Sequence, residues 1–476
     1  MAALICVTNI LIEHLRSMND NQTPSGNLAL ICPSCMAPIT GPDGGAINTS
    51  GAYFGLVSCL CAQYPVVAGI PVIVEGALPD STTTSERLVR LIDDGRGPDA
   101  LLEAVRPAGI TDKRVDKARL QRALPAFVAE RRLRRADSLL RASWDREFGR
   151  LAGSFGPGST RSLIEHYFSH HGSHERSAGD YFAYKLAQPK HLASLALLSV
   201  GDPSAGPSLD IGCGAGHLLR YLSHRASDSH GTIGIDTNFF LLWLAKTRIS
   251  PRSSYVCCDA TAGLPLPTDA VKTTSLSNFF HFPFAKSVLV SEVERVTAED
   301  GIIMLLSLRH TAGPAPVKNR ALPPVRYGEL FRRPSVTLSE QLVLERYLDG
   351  LAPDLTSSHG ELGEAPLIDV VLSNDSAIYV DHGAYAAPHL LPHWLGRPAI
   401  NPLYQALGGV REGMLRLARF WPNNAYMRDN HPIETYLPSE AFISRQGLEA
   451  LEKGEFREEL GPLIAAGVLL DVPRCY

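Results

Sequence analysis

The chain has 476 residues, of which 45% are hydrophobic and 20% are charged, and its formal net charge is −4. This length exceeds what a single hydrophobic core usually supports, so we expect several domains. The slightly acidic balance gives no general attraction to nucleic acid or to an anionic membrane surface. No apolar run reaches the roughly 18 residues of a membrane span. No secretory signal is recognisable, so the sequence predicts a cytoplasmic protein.

The first distinctive segment, residues 28–76, carries two close pairs of cysteines. Cys32 and Cys35 lie in ICPSC, and Cys59 and Cys61 lie in SCLC, shortly before the β-like run YPVVAGIPVIV. The chain has nine cysteines, and an odd number in close pairs fits metal ligation better than a disulfide framework. Two thiolate pairs can converge on one tetrahedral zinc ion. We therefore predict a zinc site at these four residues.

This segment is similar to a small zinc-ribbon module that begins bacterial large-subunit ribosomal-RNA guanine methyltransferases. The run YPVVAGIPV carries most of the similarity. The same module also exists as a free activator subunit of tRNA and protein methyltransferases. The second pair departs from the module's pattern, because it is C-x-C rather than C-x-x-C. The resemblance implies a zinc-ribbon-like β module over residues 1–80.

Residues 81–159 are predicted to form a helical linker or helical domain. In DKARLQRALPAFVAERRLRRADSLLRASWDREF, apolar residues recur every three or four positions. The simplest interpretation of the many arginines is a solvated helix face. A face that contacts RNA or a protein partner is the alternative.

From residue 160 to about 390, short apolar strands alternate with helical segments. The strand candidates are PSLDIG, GTIGID, SYVCCD, TTSLSN and GIIMLLSL, with LIDVVLS and SAIYVDHG as two further strands. This alternation predicts a mostly parallel sheet with crossover helices, an α/β fold. A Pro-rich connector interrupts it as an insertion at about 311–365. Residues 391–476 are predicted to form a C-terminal helical domain.

The segment PSLDIGCGAGHLLRYL predicts a strand, a glycine turn and a helix, which is the context of a nucleotide-type site. Gly212, Gly214 and Gly216 alternate with other residues. A dinucleotide fingerprint would place its third glycine at the position of His217. This departure disfavours NAD and FAD.

Carboxylates end the neighbouring predicted strands. Asp236 ends GTIGID, where it suits a bidentate hydrogen bond to a ribose diol. Asp259 ends the next strand, where it suits the exocyclic amine of adenine. A fourth strand ends near Ser277 and Asn278.

Together these motifs resemble those of class I S-adenosylmethionine-dependent methyltransferases, over about 150 residues. The resemblance implies a Rossmann-like, mostly parallel, seven-stranded sheet. It also implies that Asp210 and the three glycines surround the methionine part of the cofactor. By the same resemblance, Asp236 holds the ribose, Asp259 and Ala260 meet the adenine, and Asn278 approaches the sulfonium.

Candidates for catalysis flank these motifs. His281 follows the fourth strand and is the candidate base, with an ordinary buried histidine as the alternative. Upstream, SAGDYFAYKLAQPKHLASL supplies Tyr181 as a second catalytic candidate and Tyr184 as a cofactor contact, both able to flank a sulfonium by cation–π interaction. Their alternative is a role as core or lid aromatics.

The sequence therefore predicts a methyltransferase that acts on a small specialised metabolite by in-line displacement. Three alternatives stay open. One is an enzyme of this fold that uses the sulfonium for other chemistry, such as ring closure on a cofactor-linked intermediate. Another is an rRNA or tRNA methyltransferase, and the last is a non-catalytic subunit of a partner enzyme.

Overall fold

The computed structural model describes residues 28–476, except residues 52, 109–125, 157, 171–172, 228–229, 314–319, 359–361, 387–391, 393–394, 396–397, 410–412, 454 and 474. The first part of the predicted zinc-ribbon module, residues 1–27, lies outside this description. None of the helices in the described part of the chain is long and apolar enough to cross a membrane.

Within the described residues, twelve strands precede the C-terminal region, and ten of them form one large sheet. In chain order they are β1 (Leu30–Ile31), β2 (Pro38–Ile39), β3 (Gly55–Ser58), β4 (Gln63–Val67), β5 (Ile70–Ile73), β6 (Ser208–Ile211), β7 (Thr232–Asp236), β8 (Ser254–Cys258), β9 (Val271–Ser277), β10 (Thr297–Leu308), β11 (Ser335–Ser339) and β12 (Ile368–Ser373). β1 and β2 pair separately.

The large sheet has the order β11-β12-β10-β9-β6-β7-β8-β5-β4-β3. The six strands from β10 to β5 run parallel to one another, and β12 is antiparallel to both of its neighbours. The prediction of a Rossmann-like, mostly parallel sheet is therefore confirmed. In such a sheet the carboxyl ends of the parallel strands meet at one edge, where ligands bind.

The predicted number of seven strands is wrong, because the N-terminal strands extend the sheet to ten. β5 lies parallel to β8, with Val72 opposite Cys257 and Ile73 opposite Cys258. Without β5, the largely buried strand β8 would be an unpaired edge. The β-like run YPVVAGIPVIV thus forms β4 and β5, which cover that edge.

One predicted strand is also wrong. In SAIYVDHG, residues Ser376–Ile378 form a 3₁₀ turn instead. The Asp375 side chain accepts a hydrogen bond from the Ala377 N–H and so favours a turn over an extended strand. The edge strand is β11, which comes from the connector that the sequence indicated only as an insertion.

Helices precede, connect and flank these strands. They are α1 (Ser85–Asp93), α2 (Gly97–Val105), α3 (Ala126–Ala152), α4 (Ser159–Ser169), α5 (Ser173–Ala183), α6 (Pro189–Leu198), α7 (His217–Arg225), α8 (Phe239–Leu244), α9 (Lys286–Val296) and α10 (Glu340–Leu348). α8 continues as a π-helical turn, Ala245–Ile249. Buried apolar residues of the helices and of the sheet form two cores, and Trp144, Phe148 and Trp243 contribute stacked or tilted ring contacts to one of them.

The C-terminal region is not wholly helical, as the sequence predicted, but mixed. It contains β13 (Pro398–Ile400), β14 (Tyr404–Ala406), β15 (Met414–Arg419), β16 (Glu440–Ser444), β17 (Leu469–Asp471), α11 (Asn424–Asp429), α12 (Ile433–Tyr436), α13 (Arg445–Lys453) and α14 (Gly461–Ala465). The short strands pair as two small antiparallel sheets. This local pairing overrides the helical pattern of the sequence, since short apolar runs are ambiguous between helix and strand.

The end of the chain packs beneath the glycine turn. The Tyr476 hydroxyl donates a hydrogen bond to the Phe182 carbonyl oxygen at 2.7 Å and contacts His217 Nε2 at 3.2 Å. A buried ion pair joins Arg220 of α7 to Asp471 of β17. The C-terminal region therefore supports the helix that follows the glycine turn.

A second buried ion pair attaches α3 to the end of α2. Arg106 donates two hydrogen bonds to Asp145 Oδ1 and one to Oδ2, at 2.8 to 3.3 Å, and both side chains are less than 10% exposed. We expect Asp145→Ala to lower the free energy of unfolding by about 3–5 kcal/mol, because it leaves the Arg106 charge buried and unpaired. Urea unfolding followed by circular dichroism measures this change.

The matched control is Asp99→Ala, which removes the partner of Arg96 in an exposed ion pair. This change should cost about 0–1 kcal/mol. Equal losses in the two variants would contradict a structural role for the Arg106–Asp145 pair.

Candidate functional site

A cavity of about 660 Å³ opens at the carboxyl edge of β6, β7, β8 and β9. It brings together most of the residues that the sequence singled out, together with several that it did not. The lining residues include Tyr181, Phe182, Lys185, Asp210, Gly212, Gly214, Asp236, Asp259, Ala260, Ser277, Asn278, Phe279, Phe282, Phe284 and Arg320.

The glycine turn forms one wall of the cavity. Gly212 and Gly214 have φ values of 70° and 52°, which disfavour any residue with a side chain. A Cβ on Gly212 would lie 2.7 Å from the Phe279 ring, and one on Gly214 would lie 2.6 Å from the Phe182 ring. The backbone therefore stays open to a ligand only with glycine at both positions. Gly216 does not line the cavity but forms the N-cap of α7.

Asp236 ends β7 and holds the turn in place. Its carboxylate accepts hydrogen bonds from the N–H groups of Gly214 and Asn238, both at 2.8 Å. Burial raises the pKa of Asp236. A carboxylate offers about four acceptor positions, so two backbone bonds leave capacity for ligand hydroxyl groups.

Asp210 is the penultimate residue of β6 and is almost fully buried. It accepts a hydrogen bond from Ser275 Oγ at 2.7 Å. Burial raises the pKa of Asp210 to about 7, against the opposing effects of Ser275 and of the Lys185 charge. This carboxyl group is therefore poised to ionise when a cation binds beside it.

Asp259 and Ala260 follow β8 and form the outer part of the same wall. Asp259 Oδ1 accepts hydrogen bonds from Thr261 N–H at 2.9 Å and from Thr261 Oγ1 at 2.7 Å. These bonds fix the loop after the strand. The Asp259 side chain is exposed, whereas Ala260 is buried.

Tyr181, Lys185 and Asn278 meet at the inner end of the cavity. Lys185 Nζ donates a hydrogen bond to the Tyr181 hydroxyl at 2.6 Å and lies 4.6 Å from the centroid of the Tyr181 ring. Burial lowers the pKa of Lys185 to about 8. The sequence did not single out Lys185, and its only signal was its place four residues after Tyr181 on an aromatic helical segment.

The structure does not bring Tyr184 to this cavity. Its ring is buried and meets Phe420 and Tyr426 edge-on, at centroid distances of 6.0 and 5.8 Å. Helical geometry explains the difference, because positions three apart on α5 and the turn after it need not face the same surface. The alternative of a core aromatic fits Tyr184, whereas Tyr181 lines the cavity.

His281 likewise lies behind the cavity wall rather than on it. The side chain is fully buried, and Nδ1 accepts a 3.5 Å hydrogen bond from the Arg309 N–H. Burial and the charges of Arg309 and Lys286 lower the pKa of His281 to about 3. An imidazole with so low a pKa and no access to the cavity is a poor proton acceptor there, so the alternative of a buried histidine fits.

A buried polar cluster that the sequence did not indicate lies behind Tyr181. Ser307 N–H donates to Asp369 Oδ1 at 2.7 Å. Within the described residues, Ser307 Oγ, Asp369 Oδ2 and Glu340 Oε2 have no hydrogen-bond partner. Burial raises the pKa of both carboxyl groups and lowers that of Lys190, whose Nζ lies 4.8 Å from the Tyr181 ring centroid. These residues come from distant parts of the chain, so no local pattern predicts the cluster.

The four predicted metal ligands lie close together in the N-terminal segment that precedes and includes β3 to β5. The Sγ atoms of Cys32, Cys35, Cys59 and Cys61 all lie within 4.8 Å of one another. Burial disfavours the Cys32 thiolate, but hydrogen bonds from Tyr64 and from nearby backbone groups outweigh it and lower the Cys32 pKa to about 6. Four thiolates at tetrahedral spacing are a donor set that zinc prefers.

Comparisons with known proteins bear on the sheet that carries the cavity. Residues 209–305 match a family described as "Methyltransferase domain". Similar solved structures include a methyltransferase from Aquifex aeolicus, 17% identical with a TM-score of 0.28, over 39% of this chain and 93% of that chain. A TehB-like methyltransferase from Corynebacterium glutamicum is 17% identical with a TM-score of 0.31, over 42% and 96%. No curated protein matches the chain.

At these identities and TM-scores the solved structures carry no functional conclusion, and the family match covers residues 209–305 only. The matched range begins in β6, includes the glycine turn and ends in β10. It therefore contains every strand end that lines the cavity. Residues 209–305 are therefore similar to a methyltransferase domain, and this similarity covers only part of the chain.

Proposed function

We propose that the protein transfers the methyl group of S-adenosylmethionine to a small-molecule acceptor by in-line displacement. The observation that carries this proposal is the single cavity wall in which Asp210, Asp236 and Asp259 end three adjacent parallel strands beside the glycine turn. Each carboxylate matches a different donor group of the cofactor.

The lining residues fit the cofactor from end to end. Asp210 and Lys185 carry opposite charges, so they suit the ammonium and carboxylate groups of the methionine part. Asp236 accepts from the ribose hydroxyls, and the loop at Asp259 and Ala260 receives the adenine. When bound, the cofactor supplies an electrophilic methyl group on a positively charged sulfur.

The protein contributes mainly position and orientation to such a transfer. Tyr181 and Asn278 lie at the inner end of the cavity, where an acceptor must meet the methyl group. Because Lys185 donates to the Tyr181 hydroxyl, the position of that hydroxyl is fixed, and it can orient the acceptor. We propose this orienting role for Tyr181 and no proton transfer for His281.

A small acceptor fits the site better than RNA. The aromatic loop after β9 lines the cavity with Phe279, Phe282 and Phe284. The net charge of −4 gives no general attraction to a polyanion. An apolar recess of this size is typical of sites for small molecules.

We also propose that Zn²⁺ binds the four cysteines and has a structural role. The two cysteine pairs lie on separate chain segments, which are otherwise joined by mutual backbone hydrogen bonds of 3.0 Å between Thr40 and Ser58. A tetrahedral ion held by both pairs would fix the module from which β3, β4 and β5 extend.

The test of methyl transfer uses S-adenosylmethionine labelled in the methyl group. The purified protein is incubated with a low-molecular-mass extract and, separately, with total RNA from the source organism. We expect label in a low-mass product that has gained one methyl group, and none with Asp236→Asn. Label in RNA alone would contradict the small-molecule acceptor. Consumption of the cofactor without a methylated product would indicate the other sulfonium chemistry.

Zinc content tests the metal site. We expect about one zinc ion for each purified chain, and its loss in Cys32→Ser, since a serine hydroxyl is a poor replacement for a thiolate ligand. Cys475→Ser is the matched control, because Cys475 is buried outside the cluster. Equal zinc in both variants, measured by atomic absorption, would exclude the site.

The pKa values of Asp210 and Lys185 predict a pH optimum for cofactor binding. The Asp210 carboxyl must ionise to bind the methionine ammonium, so affinity falls as the pH drops below about 7. Lys185 must stay protonated to bind the carboxylate, so affinity falls as the pH rises above about 8. We expect S-adenosylhomocysteine to bind about tenfold more weakly at pH 6 than at pH 7.5.

Calorimetry in buffers of different ionisation enthalpy should also detect proton release on binding at pH 6. Asp210→Asn should bind more weakly at every pH and lose the acidic dependence. An affinity that stays constant from pH 6 to 7.5 in the unmodified protein would refute the role of Asp210.

A further inference from the structure

The mouth of the cavity is built from aromatic side chains that face solvent. Phe282 and Phe284 line the cavity, yet their exposed fractions are 42% and 73%. Exposure of a phenylalanine by itself is unremarkable. Two such rings at the rim of a recess, however, form an apolar surface of the kind that marks ligand-binding grooves.

Arg320 covers one of these rings. Its Cζ atom lies 4.2 Å from the centroid of Phe284, which is cation–π distance. A guanidinium that stacks on a ring through its face has its N–H groups pointing outward in its own plane. These N–H groups can still bind a planar anion in a bidentate manner. In the described part of the chain, Arg320 donates only one long hydrogen bond, 3.5 Å to the Phe282 carbonyl oxygen, and has no carboxylate partner.

The charges that Arg320 and the aromatic loop contribute to the mouth are positive. Lys286 Nζ donates to the Pro283 carbonyl oxygen at 2.6 Å and so stays beside the same loop. Its pKa is lowered by burial and by the charge of Arg320, which places the two cations near each other. No acidic residue lies among the lining residues that this loop contributes, whereas all the lining aspartates end β6, β7 and β8.

We infer that the methyl acceptor combines a planar, apolar ring with a carboxylate or similar anionic group. Phe282 and Phe284 hold the ring, and Arg320 binds the anion. This inference rests on the proposed function and specifies its substrate class. A stacked ring with its anionic group at the mouth directs the opposite end of the molecule past Phe279 towards Asn278 and Tyr181. The specificity of the site then resides at the mouth, away from the reacting atoms.

Three probes separate the contributions of ring and charge. The protein is first saturated with S-adenosylhomocysteine and then titrated with 2-naphthoate in a calorimeter. Naphthalene-2-methylamine has the same ring with the opposite charge, and cyclohexanecarboxylate has the same anion without an aromatic face. We expect 2-naphthoate to bind about tenfold or more tightly than either control probe.

Variants assign the effect to named residues. Arg320→Leu should weaken 2-naphthoate binding about tenfold, and Phe284→Leu should weaken it a few-fold while keeping an apolar side chain. Arg326→Leu is the matched control, because Arg326 is an exposed arginine that pairs with Glu329 and does not line the cavity. That variant should bind 2-naphthoate as the unmodified protein does.

The outcomes distinguish this inference from the proposed function. If S-adenosylhomocysteine binds but 2-naphthoate does not, or binds no better than the control probes, the substrate class is wrong and the methyltransferase proposal stands. Unchanged 2-naphthoate affinity in Arg320→Leu would also overturn the inference. If S-adenosylhomocysteine itself fails to bind, both proposals fall.

Discussion

The candidate site depends on one buried carboxylate. Asp236 binds the Gly214 N–H from across the strand pair and the Asn238 N–H at the start of α8. Hydrogen bonds to a charged group contribute about 1.5–3 kcal/mol each, and here they tie the turn after β6 to the end of β7. They hold the glycine backbone open towards the cavity. The carboxylate that we propose to hold the ribose is therefore also the one that shapes the glycine turn.

The N-terminal module packs against β8 and the loop that follows it, which form part of the cavity wall. β5 adds to the free edge of β8, and Ile31 N–H donates to the Pro265 carbonyl oxygen at 3.2 Å. A Cβ on Gly263 would lie 3.0 Å from Pro33, so this glycine lets the cysteine turn approach the loop that follows Asp259. The cysteine turn thus packs against the loop that we propose to receive the adenine.

Local sequence patterns were enough to predict the strands from β6 to β10 and the residues at their carboxyl ends. They were also enough to pair the four cysteines. The failures have a common physical cause, which is that they depend on distant contacts. β5 pairs with β8 across a long stretch of sequence, and the Arg309 N–H donates to His281. The charge of Lys185 acts on Asp210, which lies on another element. The polar cluster at Ser307, Glu340 and Asp369 joins three elements, so no single segment contains its signal.

The most direct measurement is a crystal structure of the protein with S-adenosylhomocysteine. We expect the ribose hydroxyls to bind Asp236 and the adenine to lie beside Ala260. The methionine ammonium and carboxylate should bind Asp210 and Lys185. The sulfur should then face Asn278 and Tyr181, with open volume between it and Phe284. A cofactor bound elsewhere, or a sulfur turned away from Tyr181, would contradict the proposal that this cavity is the methyl-transfer site.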